Sequence, residues 1–371
     1  MYFSLEPKVK REDLYDREEE LKELEDALSN NRIILITGIR RIGKTSLLRV
    51  FLEEKKKESN PFVFIDCRSF TKGNIINKNE LNDYIINSLQ KIIRESIFKK
   101  IFGLVSIIKI PWFEINLKEK SNVRPTLSQA FDGFDNILNK SKGKLIIAVD
   151  EAQNLRFYGR SGIEMLNLMA HAYDYLENIQ FILTGSEVGI LHDFLKKDDP
   201  KSPLFGRYLK EIKLDRFPKK DSVNLLIEGF KQIKVEPRDD EIEKAVNILD
   251  GLVGYLIIYG YIVSSKGDYK MALDEALNMA EKLVKQELEN IFSKSRNYKL
   301  VLKAIAYKME TFSQIKEYIT LHSNEISNQT LSNVLKSLVK YCYLEECYKN
   351  GSKTYIIPDP IVKIVMEKVR P

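Results

Sequence analysis

Residues 32–54, "RIILITGIRRIGKTSLLRVFLEE", run from an apolar stretch through two glycines flanking an arginine pair to Lys-Thr-Ser and a leucine-rich helical pattern. Within it, "GIRRIGKT" at 38–45 fits G-x-x-x-x-G-K-[ST]. Glycines let the backbone curl until its N–H groups converge on phosphate oxygens. The loop therefore makes Gly38, Ile39, Arg40, Arg41, Ile42, Gly43, Lys44, Thr45 and Ser46 candidate nucleotide contacts. Lys44 would reach the β- and γ-phosphates and the Thr45 hydroxyl would ligate Mg²⁺. "RIILIT" reads as a buried parallel strand. "TSLLRVFLEEKKK" reads as an amphipathic helix with Leu47, Leu48, Phe51 and Leu52 on one face and its positive end toward the phosphates. Arg40 and Arg41 stay open between phosphate contact and solvent.

Such a loop needs a second acidic site for metal and water. "KLIIAVDEAQNL", residues 144–155, ends a strand in Asp150-Glu151, and open α/β sheets bind ligands at that end of their strands. Asp150 would hold Mg²⁺ and Glu151 would polarise the attacking water as general base. A further strand, "IQFILTG" at 179–185, leads into Ser186. Thr184 or Ser186 is the candidate γ-phosphate sensor.

Together these segments resemble the archaeal ATPase family, in the STAND branch of AAA+-type P-loop ATPases, over nearly the whole chain. "LYDREEELKEL" resembles the family's front box, with Asp16 in place of a glycine. The resemblance implies that Tyr15 and Arg17 line an adenine pocket. "GIRRIGKTSLL" resembles its GxRRxGKT loop and "VDEAQ" its DExQ motif. "SPLFGRYLKEIKLDRF" resembles its PLYGR segment, which implies Arg207 as a reader of the γ-phosphate. An arginine suits that role because its planar fork neutralises phosphoryl charge. "LDGLVGYLIIYG" resembles a GGxPxWL segment of the lid, with Val253 where proline is usual.

The implied fold is an α/β P-loop sheet with core order 5-1-4-3-2, a helical lid and a C-terminal winged helix. Core strands are expected near 32–37, 62–66, 144–149, 179–184 and 210–214, within a nucleotide domain over 1–215. The stretch 99–143 is too long for a plain loop. It reads as a hairpin insertion ("LVSIIKI", "WFEINL") followed by a helix at 126–140. Residues 216–295 form the lid, with Asp221 and Asp239 or Asp240 as N-caps and Gly229 and Gly251 as punctuation. Residues 296–371 read as three helices and a hairpin around Asn350-Gly351. In the third helix Leu331, Leu335, Leu338 and Cys342 form the core face. Ser327, Asn328, Gln329, Ser332, Asn333, Lys336 and Lys340 face outward.

Composition fits this organisation. Of 371 residues, 44% are hydrophobic and 30% charged, ordinary for a globular protein. The longest apolar stretch, 101–113, falls short of the roughly 20 residues that span a bilayer. The start lacks an apolar signal region. Three cysteines without metal-ligand spacing suit a reducing compartment, so a cytoplasmic location is expected. Residues 296–371 carry 12 Lys and Arg against 7 Asp and Glu, most of the chain's net +6. That excess suggests an acidic partner: duplex DNA through Lys336, Lys340, Lys349 and Lys353, or a protein, since fold does not fix function. ATP is preferred to GTP because no N-K-x-D motif is present. The resulting expectation is an ATP-hydrolysing, Mg²⁺-dependent switch. The rivals are a DNA-binding ATPase resembling replication initiators and a non-hydrolysing nucleotide scaffold.

Overall fold

The computed structural model describes residues 1–94, 125–141, 143–159, 161–323, 325–349 and 351–369. Five parallel strands form its centre: β1 (Ile33–Thr37), β2 (Phe62–Asp66), β3 (Leu145–Asp150), β4 (Ile179–Gly185) and β5 (Lys210–Lys213). Their spatial order is β5-β1-β4-β3-β2, as expected from the sequence. Strands β1, β3 and β4 are buried along their whole length, which explains their unbroken apolar runs. Alternate residues serve opposite faces. Ile34 and Ile36 join one hydrophobic cluster, and Ile33 and Leu35 join another.

The first face is covered by α1 (Glu18–Asn30) and α2 (Lys44–Lys57), which buries Leu47, Leu48, Phe51 and Leu52. The second is covered by α4 (Lys78–Arg94), α5 (Leu127–Ser141) and α6 (Ile163–Tyr175). Two short helices sit at the carboxyl ends of the strands: α3 (Cys67–Phe70) after β2, and α7 (Val188–Leu195) after β4. The helix expected at 126–140 is α5. The expected hairpin lies outside the described residues.

Four helices follow the sheet: α8 (Lys219–Gln232), α9 (Asp239–Leu249), α10 (Val253–Lys266) and α11 (Tyr269–Phe292). Three local expectations are corrected. Asp221, Asp239 and Asp240 lie in the first turns, where they favour the helix dipole, and the N-caps are Pro218 and Arg238. Gly229 lies inside α8, where a Cβ would come 2.2 Å from Phe3 Cζ. Gly260 of α10 has the same role, its Cβ falling 2.3 Å from Phe3 Cε1. Two helical glycines thus form the socket for a fully buried Phe3. Gly251 does punctuate, at φ +69° just after α9.

The C-terminal module contains α12 (Arg296–Ala306), α13 (Phe312–His322), α14 (Asn328–Lys340), β6 (Glu345–Lys349), β7 (Ser352–Ile356) and α15 (Pro360–Lys368). Three helices followed by an antiparallel hairpin fit a winged-helix-like domain. Side-chain caps from Thr311, Ser327 and Asp359 start α13, α14 and α15. On α14 the buried face is Leu331, Val334, Leu335 and Leu338. Cys342 does not continue it: the helix has ended, and Cys342 takes φ +58°. Its thiol instead accepts from the Val188 N–H at 3.4 Å. Ser327, Asn328, Gln329, Asn333, Lys336 and Lys340 are exposed and Ser332 is half-buried. Three of the four lysines expected to meet DNA have carboxylate partners: Lys340–Asp193 at 2.7 Å, Lys349–Glu310 at 2.6 Å and Lys353–Glu346 at 2.6 Å. The Lys340 pair ties α14 to α7. Among the described residues, no helix is long and apolar enough to cross a membrane.

Candidate active site

The 38–45 loop joins β1 to α2. Gly38 has φ +148°, and a Cβ there would fall 2.7 Å from the Leu214 carbonyl oxygen. Gly43, at φ +100°, caps α2, so both turns need glycine. Lys44 is buried and its ammonium donates to the Gly38 and Ile39 carbonyls, both at 2.8 Å. Burial pushes its pKa down to about 8 despite Glu151 and Asp150 nearby.

Thr45 and the acidic pair meet across the cleft. The Thr45 hydroxyl donates to Asp150 Oδ2 at 2.9 Å. Thr184 donates to Asp150 Oδ1 and accepts the Glu151 N–H at 3.1 Å. Ser186 Oγ donates to Glu151 Oε2 at 2.7 Å, and Gln153 Nε2 donates to the same oxygen at 2.6 Å. Thr184 and Ser186 therefore both organise the acidic pair, one to each carboxylate. Burial pushes Asp150 above the usual carboxylate range, opposed by the two threonine hydrogen bonds. Burial acts on Glu151 in the same direction, but Lys44, Ser186, Gln153 and Arg40 outweigh it and hold Glu151 below the usual range. Glu151 is thus an ionised acceptor, on a left-handed backbone at φ +54°.

The donors suit Mg²⁺, a hard cation bound through few protein oxygens together with phosphates and water. Thr45 and Asp150 offer oxygens only. Among the described residues, no group of three or more His, Cys, Asp or Glu could form an all-protein cage.

The loop, Glu151, the N-terminal residues and the lid line a cleft of about 740 Å³. It continues into an apolar recess walled by Tyr15, Arg17, Ile42, Phe217, Val253 and Ile257. Tyr15 meets the Phe217 ring edge-on at 5.9 Å. The Arg17 guanidinium lies 4.4 Å from the Phe217 ring centre and donates to the Asp215 carbonyl at 2.8 Å. Tyr15 and Arg17 thus lie beside the phosphate loop. Val253 lies on the same wall despite replacing a proline, with Cγ1 3.3 Å from where a Gly43 Cβ would sit.

The two loop arginines line the cleft and are both held in ion pairs. Arg40 pairs with Glu187 at 2.8 Å, with Tyr343 of the C-terminal module 5.6 Å below its guanidinium. Arg41, at φ +66°, pairs with Glu287 of α11 at 2.6 Å and lies 3.7 Å from Asp359, the cap of α15. Tyr255 lies beneath Arg41 and donates its hydroxyl to Asp359 at 2.9 Å.

Arg207 is not brought to the cleft of its own chain. Lys210 pairs with Ile34 near the start of β1, and the phosphate loop follows its end. Arg207 therefore sits at the amino ends of the strands, where it pairs with Asp174 and donates to the Pro203 carbonyl. A five-residue strand, roughly 15 Å, separates it from the cleft. Its place in the chain, just before a strand, carried that information. The sequence reading also missed Lys8, Arg68, Glu187, Glu287 and Asp359, which reach the site only through tertiary packing.

Comparison with known proteins agrees with this geometry. A family model described as an ATPase domain predominantly from Archaea matches residues 14–258. The Walker-type ATPase of Pyrococcus abyssi superposes with a TM-score of 0.85 at 37% identity, covering 99% of each chain. The Aeropyrum pernix ORC2 protein, solved in ADPNP–ADP complexes, gives 0.58 at 16% identity, covering 98% of this chain and 97% of that one. At that identity it shows the fold alone. An uncharacterized protein of Methanocaldococcus jannaschii is 24% identical over 96% of this chain and 69% of its own length.

Proposed function

This chain belongs to the predominantly archaeal ATPase family, and from that premise we propose that it is a Mg²⁺-dependent, ATP-hydrolysing switch of the STAND type. Lys44 and the loop N–H groups bind the phosphates, and the recess beside Tyr15 and Val253 takes adenine. Thr45 and Asp150 hold Mg²⁺, which supplies charge neutralisation on the phosphates. Ionised Glu151 accepts a proton from the attacking water, while Thr184 and Ser186 keep the two carboxylates apart in role.

The observation that carries the switch reading is Arg41. A residue inside the phosphate loop is held by a carboxylate of the lid, Glu287, and by one of the C-terminal module, Asp359. A change in loop conformation on nucleotide exchange would reach both through Arg41, and a switch requires contacts that differ between its states. The exposed polar face of α14 is the output surface in this reading, toward duplex DNA or a protein.

The test is hydrogen exchange of the full chain with ADP and with ATPγS. In wild type, protection at 357–362 and 285–290 should differ between the nucleotides. Arg41→Ala should erase that difference while nucleotide stays bound. Lys44→Ala should abolish binding. Unchanged ATP affinity in Lys44→Ala would end the phosphate-loop assignment, and nucleotide-independent exchange in wild type would end the switch.

A further inference from the structure

Arg40 and Arg41 line the cleft and pair with Glu187 and Glu287, and a third arginine stands on the opposite side of the phosphate loop. It lies on the rim of the cleft. Asp66 ends β2 directly opposite Asp150 of β3 in register, so two carboxylates stand side by side at the ends of neighbouring strands. Asp66 caps α3 by accepting the Arg68 N–H at 3.0 Å. The Arg68 side chain folds back over that cap, with Nε 3.1 Å from Asp66 Oδ1 and a terminal nitrogen 3.3 Å from Oδ2. The same terminal nitrogen lies 3.6 Å from Asp150 Oδ2, the oxygen that accepts from Thr45. Arg68 shares the cleft wall with Lys44, Thr45, Glu151 and Ser186.

We propose that Arg68 is a catalytic residue of this ATPase, contacting the γ-phosphate from the β2 end of the sheet, with Asp66 as its positioning residue. This rests on the hydrolysis reading above. Three features support it. Arg68 is anchored to Asp66 through its backbone, its Nε and one terminal nitrogen, so its guanidinium is held at the rim of the cleft. Its side chain is 59% exposed, so leaving Asp150 costs little desolvation. Thr45 and Asp150 would hold Mg²⁺, which would supply charge at the oxygen that now attracts the terminal nitrogen and leave the guanidinium available to phosphate oxygens. In the step itself, water oxygen bonds to the γ-phosphorus and its proton passes to Glu151. The bond between γ-phosphorus and the bridging oxygen breaks, and its electron pair leaves on ADP. Arg68 neutralises charge on the transferred group, which arginines do through a planar fork that lysine lacks.

The experiment compares wild type with Arg68→Ala, Arg68→Lys and Asp66→Asn. It measures MgATPγS and MgADP affinity by calorimetry, ATP turnover, and thermal unfolding as a check on folding. Arg68→Ala should weaken MgATPγS at least about tenfold, leave MgADP within about twofold, and slow turnover at least about tenfold, a cautious share of the 10³–10⁵ such arginines contribute. Arg68→Lys should restore affinity in part but turnover poorly. Asp66→Asn should leave affinity closer to wild type and lower turnover, as a positioning defect does. Wild-type turnover in Arg68→Ala, or equal losses of both nucleotides, overturns the proposal. Wild type that binds neither nucleotide refutes the ATPase reading on which the proposal rests.

Discussion

Ser186 Oγ and Gln153 Nε2 converge on a single carboxylate oxygen of Glu151, so one residue beyond β4 and one beyond β3 hold the carboxylate proposed as general base.

Glu151→Gln should retain ATP and lose turnover by roughly 10²–10⁴, the usual reach of a positioned base. The amide preserves shape and cannot accept the water proton. Filter binding with labelled ATP and a phosphate-release assay on the same preparation check both halves. Wild-type turnover would mean that another group serves as base.

Arg207→Ala should leave turnover unchanged within about twofold, because the guanidinium lies at the opposite end of the sheet. The Asp174 pair is a surface pair, and losing it should cost about 0–1 kcal/mol. A tenfold loss of turnover in a concentration-independent assay would contradict this placement.

Lys8 gives a pH signature. Burial pushes its ammonium down to about 8, while its nitrogen donates to the Ser4 carbonyl at 2.6 Å and the Met1 carbonyl at 3.3 Å. The native protein releases this proton near pH 8 and the unfolded chain only near 10.4. Between those values the unfolded chain binds more protons, so the contribution of Lys8 to stability rises with pH. Lys8→Met removes the term. Any stability advantage of the variant in urea should therefore shrink from pH 7 to pH 9.5, and a pH-independent difference would refute the argument.

Duplex DNA binding, if α14 and the hairpin supply it, should weaken steeply with salt, because each neutralised phosphate releases condensed counterions. Lys336 is exposed, whereas Lys340, Lys349 and Lys353 would first have to give up their carboxylate partners. Replacing all four with Glu should abolish binding. Fluorescence anisotropy with the full chain and ADP or ATPγS checks it. Affinity no better than about 10⁻⁴ M at physiological salt, the nonspecific level, would assign this face to protein contact.

The phosphate loop and the five strands were legible because each is a local pattern: a spaced glycine motif, or an apolar run ending in a polar residue. Even the sheet order followed once the family resemblance was recognised. The last helix was legible but overlooked, since Asp359-Pro360 is a cap followed by proline at the first helical position. What could not be read were partners brought together by packing. Arg41 meets Glu287 and Asp359 across roughly 250 to 320 positions of sequence, with no periodicity linking them. The Asp66–Arg68 cap looks in sequence like an ordinary turn, and its meaning comes from the strand register that sets Asp66 beside Asp150.

The seating of Phe3 between Gly229 and Gly260 bears on how a bound base would leave. The aromatic plug fastens the first residues to α8 and α10, so Tyr2 and Lys8 are tethered to the helices that carry Val253 and Ile257. Tyr15 and Arg17 stay with the sheet through Asp215 and Phe217. The chain's start thus bridges the two walls of the recess: Phe3 holds it to the lid, the Lys8 N–H donates to Ser46 Oγ at 3.0 Å, and Tyr2 meets Tyr15 edge-on at 5.6 Å, so losing the Phe3 socket would loosen both walls at once.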